Sequence, residues 1–239
     1  MSKQYETGNA KNLANLQKLI EHISLYTAYN PPVDNLKIDN LNILFTNTLN
    51  VLIEVEEKRS AKKNAIHIRQ EKYRSLRSIT TRIINQLEIL NLSDGVLAQA
   101  KYFKKLICGT KSKKKPTNEV VIEEKKTIST SRQSYTQLAD NFSKLIQLLT
   151  IIPTYNPNIE ELKIVNLTLY HTTLIESTKK VDQTEAALNA KLIERNNILY
   201  KSETSLHTIA QNVKKYVKSV YGASSPEYTN ISKIKFTVT

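Results

Sequence analysis

The side chains best suited to acid–base, nucleophilic or metal chemistry are few. They are His22, His67, His171 and His207, the lone Cys108, and three carboxylate runs, Glu54-x-Glu56-Glu57, Glu123-Glu124 and Glu160-Glu161. A metal held between helices needs ligands three or four residues apart, so that two face one ion. No His-x-x-x-His and no Glu-x-x-His occurs; Glu203 and His207, four apart, form one weak pair without further partners and read as a surface contact. A catalytic carboxylate pair needs one member buried and one solvated across a cleft. Glu160 and Glu161 instead open a helix after Pro157, where acids complement the helix dipole, and Asp34 takes the matching place earlier in the chain. A reactive thiol needs a base or a helix N-terminus, but Cys108 sits at the predicted end of a helix, just before Gly109. No Gly-x-Ser-x-Gly, Gly-x-Gly-x-x-Gly or Walker sequence is present. These residues point to no catalytic site, no metal and no cofactor.

Two basic clusters are the remaining candidates. Lys58, Arg59, Lys62, Lys63, Arg69, Lys72, Arg74 and Arg77 would cover about half the circumference of a continuous helix. Lys101, Lys104, Lys105, Lys111, Lys113, Lys114 and Lys115 form the second. Lysine-rich clusters suit phosphate backbones without reading sequence, so residues 58–77 and 101–115 are candidate sites for nucleic acid or another polyanion. No recognition-helix pattern or stacking platform accompanies them, which favours an ordinary solvated surface.

The elements that must position these residues follow from composition and pattern. In 239 residues there are 4 Gly, 1 Cys and no Trp, with 40% hydrophobic residues and a net charge of +13. The hydrophobic share supplies a core. Four glycines do not furnish the turns of a Rossmann sheet or a propeller. One cysteine excludes a disulfide scaffold and any zinc site with two thiolates. No run approaches ~18 apolar residues, so no membrane span is expected, and the start lacks the apolar run of a secretory signal. With a lone thiol, the expected compartment is the cytoplasm.

The strongest pattern is internal. Residues Asn15–Thr46 align without gaps on Asn141–Thr172, 126 residues later, with Tyr29-Asn30-Pro31 on Tyr155-Asn156-Pro157 and Leu36-Lys37-Ile38 on Leu162-Lys163-Ile164. Lys101–Gly109 also resembles Lys214–Gly222. The spacing predicts a helix over about 10–28, stopped by Pro31 and Pro32. A long helix follows from near Asp34 to about 65, with a seam of Leu41, Phe45, Thr48, Leu52 and Val55. The later seam is Leu167, His171, Leu174, Thr178 and Val181, which makes His171 a core or boundary residue. Further helices are expected with the stripe Leu76, Ile79, Ile83, Leu87 and Leu90, over about 96–107, and over about 205–221, with Gly109 and Gly222 past two of their ends.

The fold class is therefore all-α, as two sequence-related antiparallel bundle units in tandem: residues 1–110, a basic linker 111–127, and residues 128–239 with an extended tail. Glu119–Glu123 is β-branched, and Ile234, Phe236 and Val238 alternate with polar residues. A small two-stranded ribbon between linker and tail is a further expectation.

Tyr155-Asn-Pro-Asn-x-Glu-Glu-Leu162, Ile128-Ser-Thr-Ser-Arg-Gln-Ser-Tyr135 and the stretch Lys214–Tyr228, with its Tyr-Gly-Ala-Ser-Ser-Pro-Glu-Tyr ending, resemble a Bacteroidota family of tandem-repeat helical proteins. The resemblance spans nearly the whole chain. It implies a helical repeat and an anaerobic or flavobacterial source, and brings no activity and no functional residues with it. The expected function is that of a non-enzymatic structural or interaction protein, a scaffold or adaptor engaging a protein partner or itself. The alternative is sequence-independent polyanion binding through the two basic clusters.

Overall fold

The computed structural model describes residues 4–109 and 134–238, and among these it is helical, with no strand. Helix α1 spans Gln4–Ser24. A 3-10 turn, Asp34–Leu36, leads into α2, Ile38–Arg74. Then come α3, Leu76–Glu88, and α4, Asp94–Cys108. After the linker, α5 is Tyr135–Thr150, a second 3-10 turn is Glu160–Leu162, and α6 is Ile164–Asn196. A π-turn, Asn197–Lys201, precedes α7, Leu206–Tyr221, and α8, Pro226–Ser232.

The boundaries have local causes. Gly109 and Gly222 close α4 and α7 at φ 76° and 91°, a region that L side chains reach only with strain. Ser205 and Ser225 cap α7 and α8 by accepting from the backbone N–H of Thr208 and Tyr228, and Pro226 fills the first turn of α8. The two 3-10 turns are built alike. The Tyr29 hydroxyl donates to the Leu36 carbonyl at 2.6 Å, and Tyr155 to Leu162 at 2.8 Å. Asn40 and Asn166 reach back to the carbonyls of Asp34 and Glu160, each at 2.7 Å. Every partner in these pairs is 126 residues from its counterpart.

The chain packs into two compact units, Met1–Lys62 with Thr184–Thr239, and Lys63–Gln183. These do not follow the boundaries 1–110 and 128–239 read from the sequence. Each unit takes helices from both matched stretches, because α2 and α6 each run on from one compact unit into the other. The first unit buries Leu16, Leu19 and Ile23 of α1 with Leu206, Val213 and Val217 of α7, Ile231 of α8 and Phe236 of the tail. The second buries Leu76, Ile83 and Leu87 of α3 and Ile107 of α4 with Phe142, Leu145 and Leu149 of α5 and Leu167 of α6. Each fully buried leucine or isoleucine stabilises its unit by about 1.5–3 kcal/mol relative to an exposed one.

The tail corrects the ribbon expectation. Residues 234–238 form no strand. The Asn12 amide does what a strand neighbour would do: it donates to the Thr237 carbonyl at 2.7 Å and accepts from the Thr237 N–H at 3.0 Å. Asn15 donates to Lys235 O at 2.7 Å, and Lys214 Nζ to Ile234 O. The other half of the expected ribbon, 119–123, lies outside the described residues, as does the linker 111–127.

Candidate functional site

Alternate members of the two predicted seams are only half-buried. Leu41, Thr48 and Val55 are buried, whereas Phe45 and Leu52 between them are not; likewise Leu167, Leu174 and Val181 are buried, with His171 and Thr178 at the boundary. The half-buried members face a groove. In the first unit it lies between α1 and α2 and encloses about 680 Å³. Ala10, Leu13 and Ala14 of α1 line one wall, and Phe45, Leu49, Leu52 and Ile53 of α2 the other. Leu49 and Ile53 remain 38% and 50% exposed, so this apolar surface is open to solvent. Gln17 marks one edge, and Glu56, Glu57 and Ser60 close one end. Glu56 pairs with the half-buried Arg59 at 3.6 Å.

The second unit carries a groove at the same positions, about 390 Å³ in volume, between α5 and α6. Nine of its lining residues are those of the first groove shifted by 126, most of them with different chemistry, although Leu49 and Ile175 are both apolar. Leu13 becomes Ala139, Ala14 becomes Asp140, and Gln17 becomes Ser143. Phe45 becomes His171, Leu52 becomes Thr178, Ile53 becomes Lys179, and Glu56 becomes Asp182. Tyr73 from the later part of α2 also lines it. The Tyr73 hydroxyl donates to the Tyr135 carbonyl at 3.0 Å and lies 3.3 Å from the Thr178 hydroxyl. Burial pushes the Tyr73 phenol above its ordinary range. His171 packs 6.4 Å from the Phe142 ring, a boundary histidine. Asp140 is paired with Lys144 at 2.7 Å. The groove of the second unit is thus the smaller and the more mixed in polarity, and that of the first the larger and more apolar.

Several of the basic residues make ion pairs or stack on an aromatic ring. Lys62 pairs with Glu185 at 2.6 Å, and Arg74 with Glu71 at 2.6 Å. Arg69 stacks its guanidinium 4.1 Å over the Tyr135 ring, and its Nε is buried without a hydrogen-bond partner. Lys58 is half-buried, whereas Lys63, Lys72 and Arg77 are exposed. In the second cluster Lys101 pairs with Glu88 at 2.9 Å, Lys104 is half-buried and Lys105 exposed. Lys111, Lys113, Lys114 and Lys115 lie outside the described residues. The cluster at 58–77 is thus divided: Lys58, Arg59 and Lys62 belong to one compact unit and Lys63 to Arg77 to the other.

Several carboxylates of the runs are paired as well. Glu54 pairs with Lys191, Glu160 with Lys163 at 2.5 Å, and Glu161 with Arg82 at 2.6 Å. Glu123 and Glu124 lie outside the described residues. Cys108 is half-buried, with its thiol 3.8 Å from the Arg77 carbonyl. Among the described residues no three His, Cys, Asp or Glu side chains are grouped to hold a metal ion. No described helix is long and apolar enough to cross a membrane.

Sequence reasoning missed the grooves. Phe45 and Leu52 carry the spacing of core residues, and period alone does not say that the neighbouring helix leaves them uncovered. The signal that was available is divergence at Phe45/His171, Leu52/Thr178 and Ile53/Lys179, but the aligned stretch also changes polarity elsewhere, as at His22/Leu148 and Asp39/Val165, so it did not single out the groove. Comparison with protein-family models, with curated proteins and with solved structures finds no match to this chain.

Proposed function

We propose that this chain is a non-enzymatic interaction protein, an adaptor or scaffold, and that the apolar groove between α1 and α2 is its docking surface. One observation carries this reading. Two grooves occupy matched positions on matched helices, and one of them presents Phe45, Leu52 and Ile53 where its counterpart presents His171, Thr178 and Lys179, while Leu49 and Ile175 are apolar in both. Open apolar surface of this kind marks interaction sites. In this reading an ancestral helical module was copied in tandem, the copies share their turns and core ridges, and one groove was adapted for a partner. Polyanion binding through 58–77 and 101–115 is the second reading; its described residues fall in both compact units, and Arg69 is stacked on Tyr135.

A photo-crosslinking residue placed at Leu49, and separately at the matched Ile175, tests the reading in cells that make the chain at its natural level. A discrete adduct from position 49 that is absent from 175, and lost when Ile53→Asp is added, is the expected result. No adduct from either position, or the same adducts from both, would overturn it.

A further inference from the structure

We infer that the α1–α2 groove takes one amphipathic helix of a partner protein, lying along α2, with basic residues at the end beside Glu56 and Glu57. The inference rests on the docking reading above and adds the occupant.

Shape is the first support. The α2 wall runs from Phe45 to Ser60, sixteen residues of helix, or about 22 Å between the two at 1.5 Å rise per step. That length matches a guest helix of about four turns. Ala10 and Ala14, one turn apart on α1, leave room for a close approach, while Phe45, Leu49, Leu52 and Ile53 offer an apolar wall for a ridge spaced i, i+3, i+4 and i+7.

Charge is the second. The chain carries a net charge of +13, yet the charged residues lining this groove are Glu56 and Glu57. They stand together at one end, Glu56 with Arg59 at 3.6 Å, so Glu57 chiefly gives the groove its polarity along its length. A guest with lysine or arginine there is attracted, and one with carboxylates is repelled. The positive end of a helix dipole is favoured at the same place, which sets the guest's N-terminus beside Glu56 and Glu57. The same acids disfavour a fatty acid or an anionic phospholipid, and the exposed Leu49 and Ile53 leave the site open along its side, unlike an enclosed acyl pocket.

Two labelled 16-residue helical peptides test the inference, each with leucines at i, i+3, i+4, i+7 and i+11, one flanked at its N-terminal turn by lysines and the other by glutamates. They are titrated against the full chain by fluorescence anisotropy. The lysine peptide is expected to bind at least about tenfold more tightly than the glutamate peptide at low salt. Paired Glu56→Lys and Glu57→Lys substitutions should reverse that order, and Ile53→Asp should abolish binding of both. All three positions are surface ones, and circular dichroism confirms that the variants stay folded. Equal affinities, an order unchanged by the charge reversal, or no binding would overturn the inference. If the peptides fail but the crosslink at Leu49 forms, the helical basic guest is wrong and the docking surface stands. If both fail, both are wrong.

Discussion

The Tyr200 hydroxyl donates to Oδ1 of Asn9 at 2.5 Å and accepts from Nδ2 of Asn12 at 3.2 Å. In the other compact unit Tyr73 donates to the carbonyl of Tyr135. Asn9 and Tyr135 are 126 apart, whereas Tyr73 and Tyr200 are 127 apart. The extra residue is absorbed by the π-turn Asn197–Lys201, which holds one residue more than an α-turn. Beyond it Leu76, Ile79, Ile83 and Leu87 match Leu206, Ile209, Val213 and Val217 at a constant separation of 130. In each unit, then, a tyrosine near the end of one long helix fastens the first helix of the other matched stretch.

Tyr200→Phe should therefore destabilise the chain by about 1–2 kcal/mol, because Asn9 and Asn12 are buried and lose a shared partner. Urea denaturation followed by circular dichroism measures the change. A change below about 0.3 kcal/mol would show that the tyrosine does not fasten α1.

Alkaline pH should loosen the two 3-10 turns. Burial pushes the Tyr155 phenol up to about 12, and holds Tyr29 well above its ordinary value of 10.0. The folded state thus keeps protons that the unfolded chain loses near pH 10. The stabilisation from these raised values is complete below pH 10 and is lost as pH rises through the folded values. Thermal stability should fall steadily above pH 10, and the fall should be shallower in Tyr155→Phe. Identical slopes in both proteins would contradict this.

Gly222 and Gly95 should respond oppositely to alanine. No heavy atom lies within 4 Å of a Cβ at either site. Gly222 has φ +91°, so Gly222→Ala should cost about 1 kcal/mol through backbone strain alone. Gly95 lies in the first turn of α4, and Gly95→Ala should be neutral or stabilising by up to about 1 kcal/mol. Equilibrium unfolding of the two variants reads the sign directly.

Arg69→Ala separates a structural cation from a polyanion-binding one. The side chain stacks on Tyr135, so its loss should lower stability by about 1 kcal/mol. Retention on duplex DNA at ~50 mM salt should stay unchanged. Loss of DNA binding without loss of stability would instead favour the polyanion reading.

Much of this fold is legible in the sequence where a local cause exists. Gly109 and Gly222 mark real ends, whereas α1 stops at Ser24, seven residues before Pro31; Leu16, Leu19, Ile20 and Ile23 mark its buried face. The length of α2 is less legible. It buries Leu41, Val51 and Val55 in one unit and Tyr73 in the other, so no single apolar stripe runs to Arg74. Helix α8 had a readable signal, Ser225 followed by Pro226, but seven residues carry too little periodicity to show it. The composition of the compact units was hidden for a different reason. Matching ridges reveal which surfaces bury, and leave open whether a ridge meets its own copy's partner or the other's.

That arrangement has a consequence for fragments. Residues 63–183 contain a complete compact unit and should unfold cooperatively on their own, whereas residues 1–110 lack α7, α8 and the tail against which α1 packs. Circular dichroism and urea melts of the two fragments compare them. A cooperative, fully helical 1–110 would show that the matched stretches fold as separate bundles.

The docking surface itself is tested most directly by titrating the full chain with a dye that fluoresces on apolar protein surface. Fluorescence should rise on the wild-type chain, be largely lost in Ile53→Asp, stay unchanged in Ile175→Asp, and be displaced by the lysine-flanked peptide. Equal dye binding by wild type and Ile53→Asp would contradict an open apolar groove between α1 and α2.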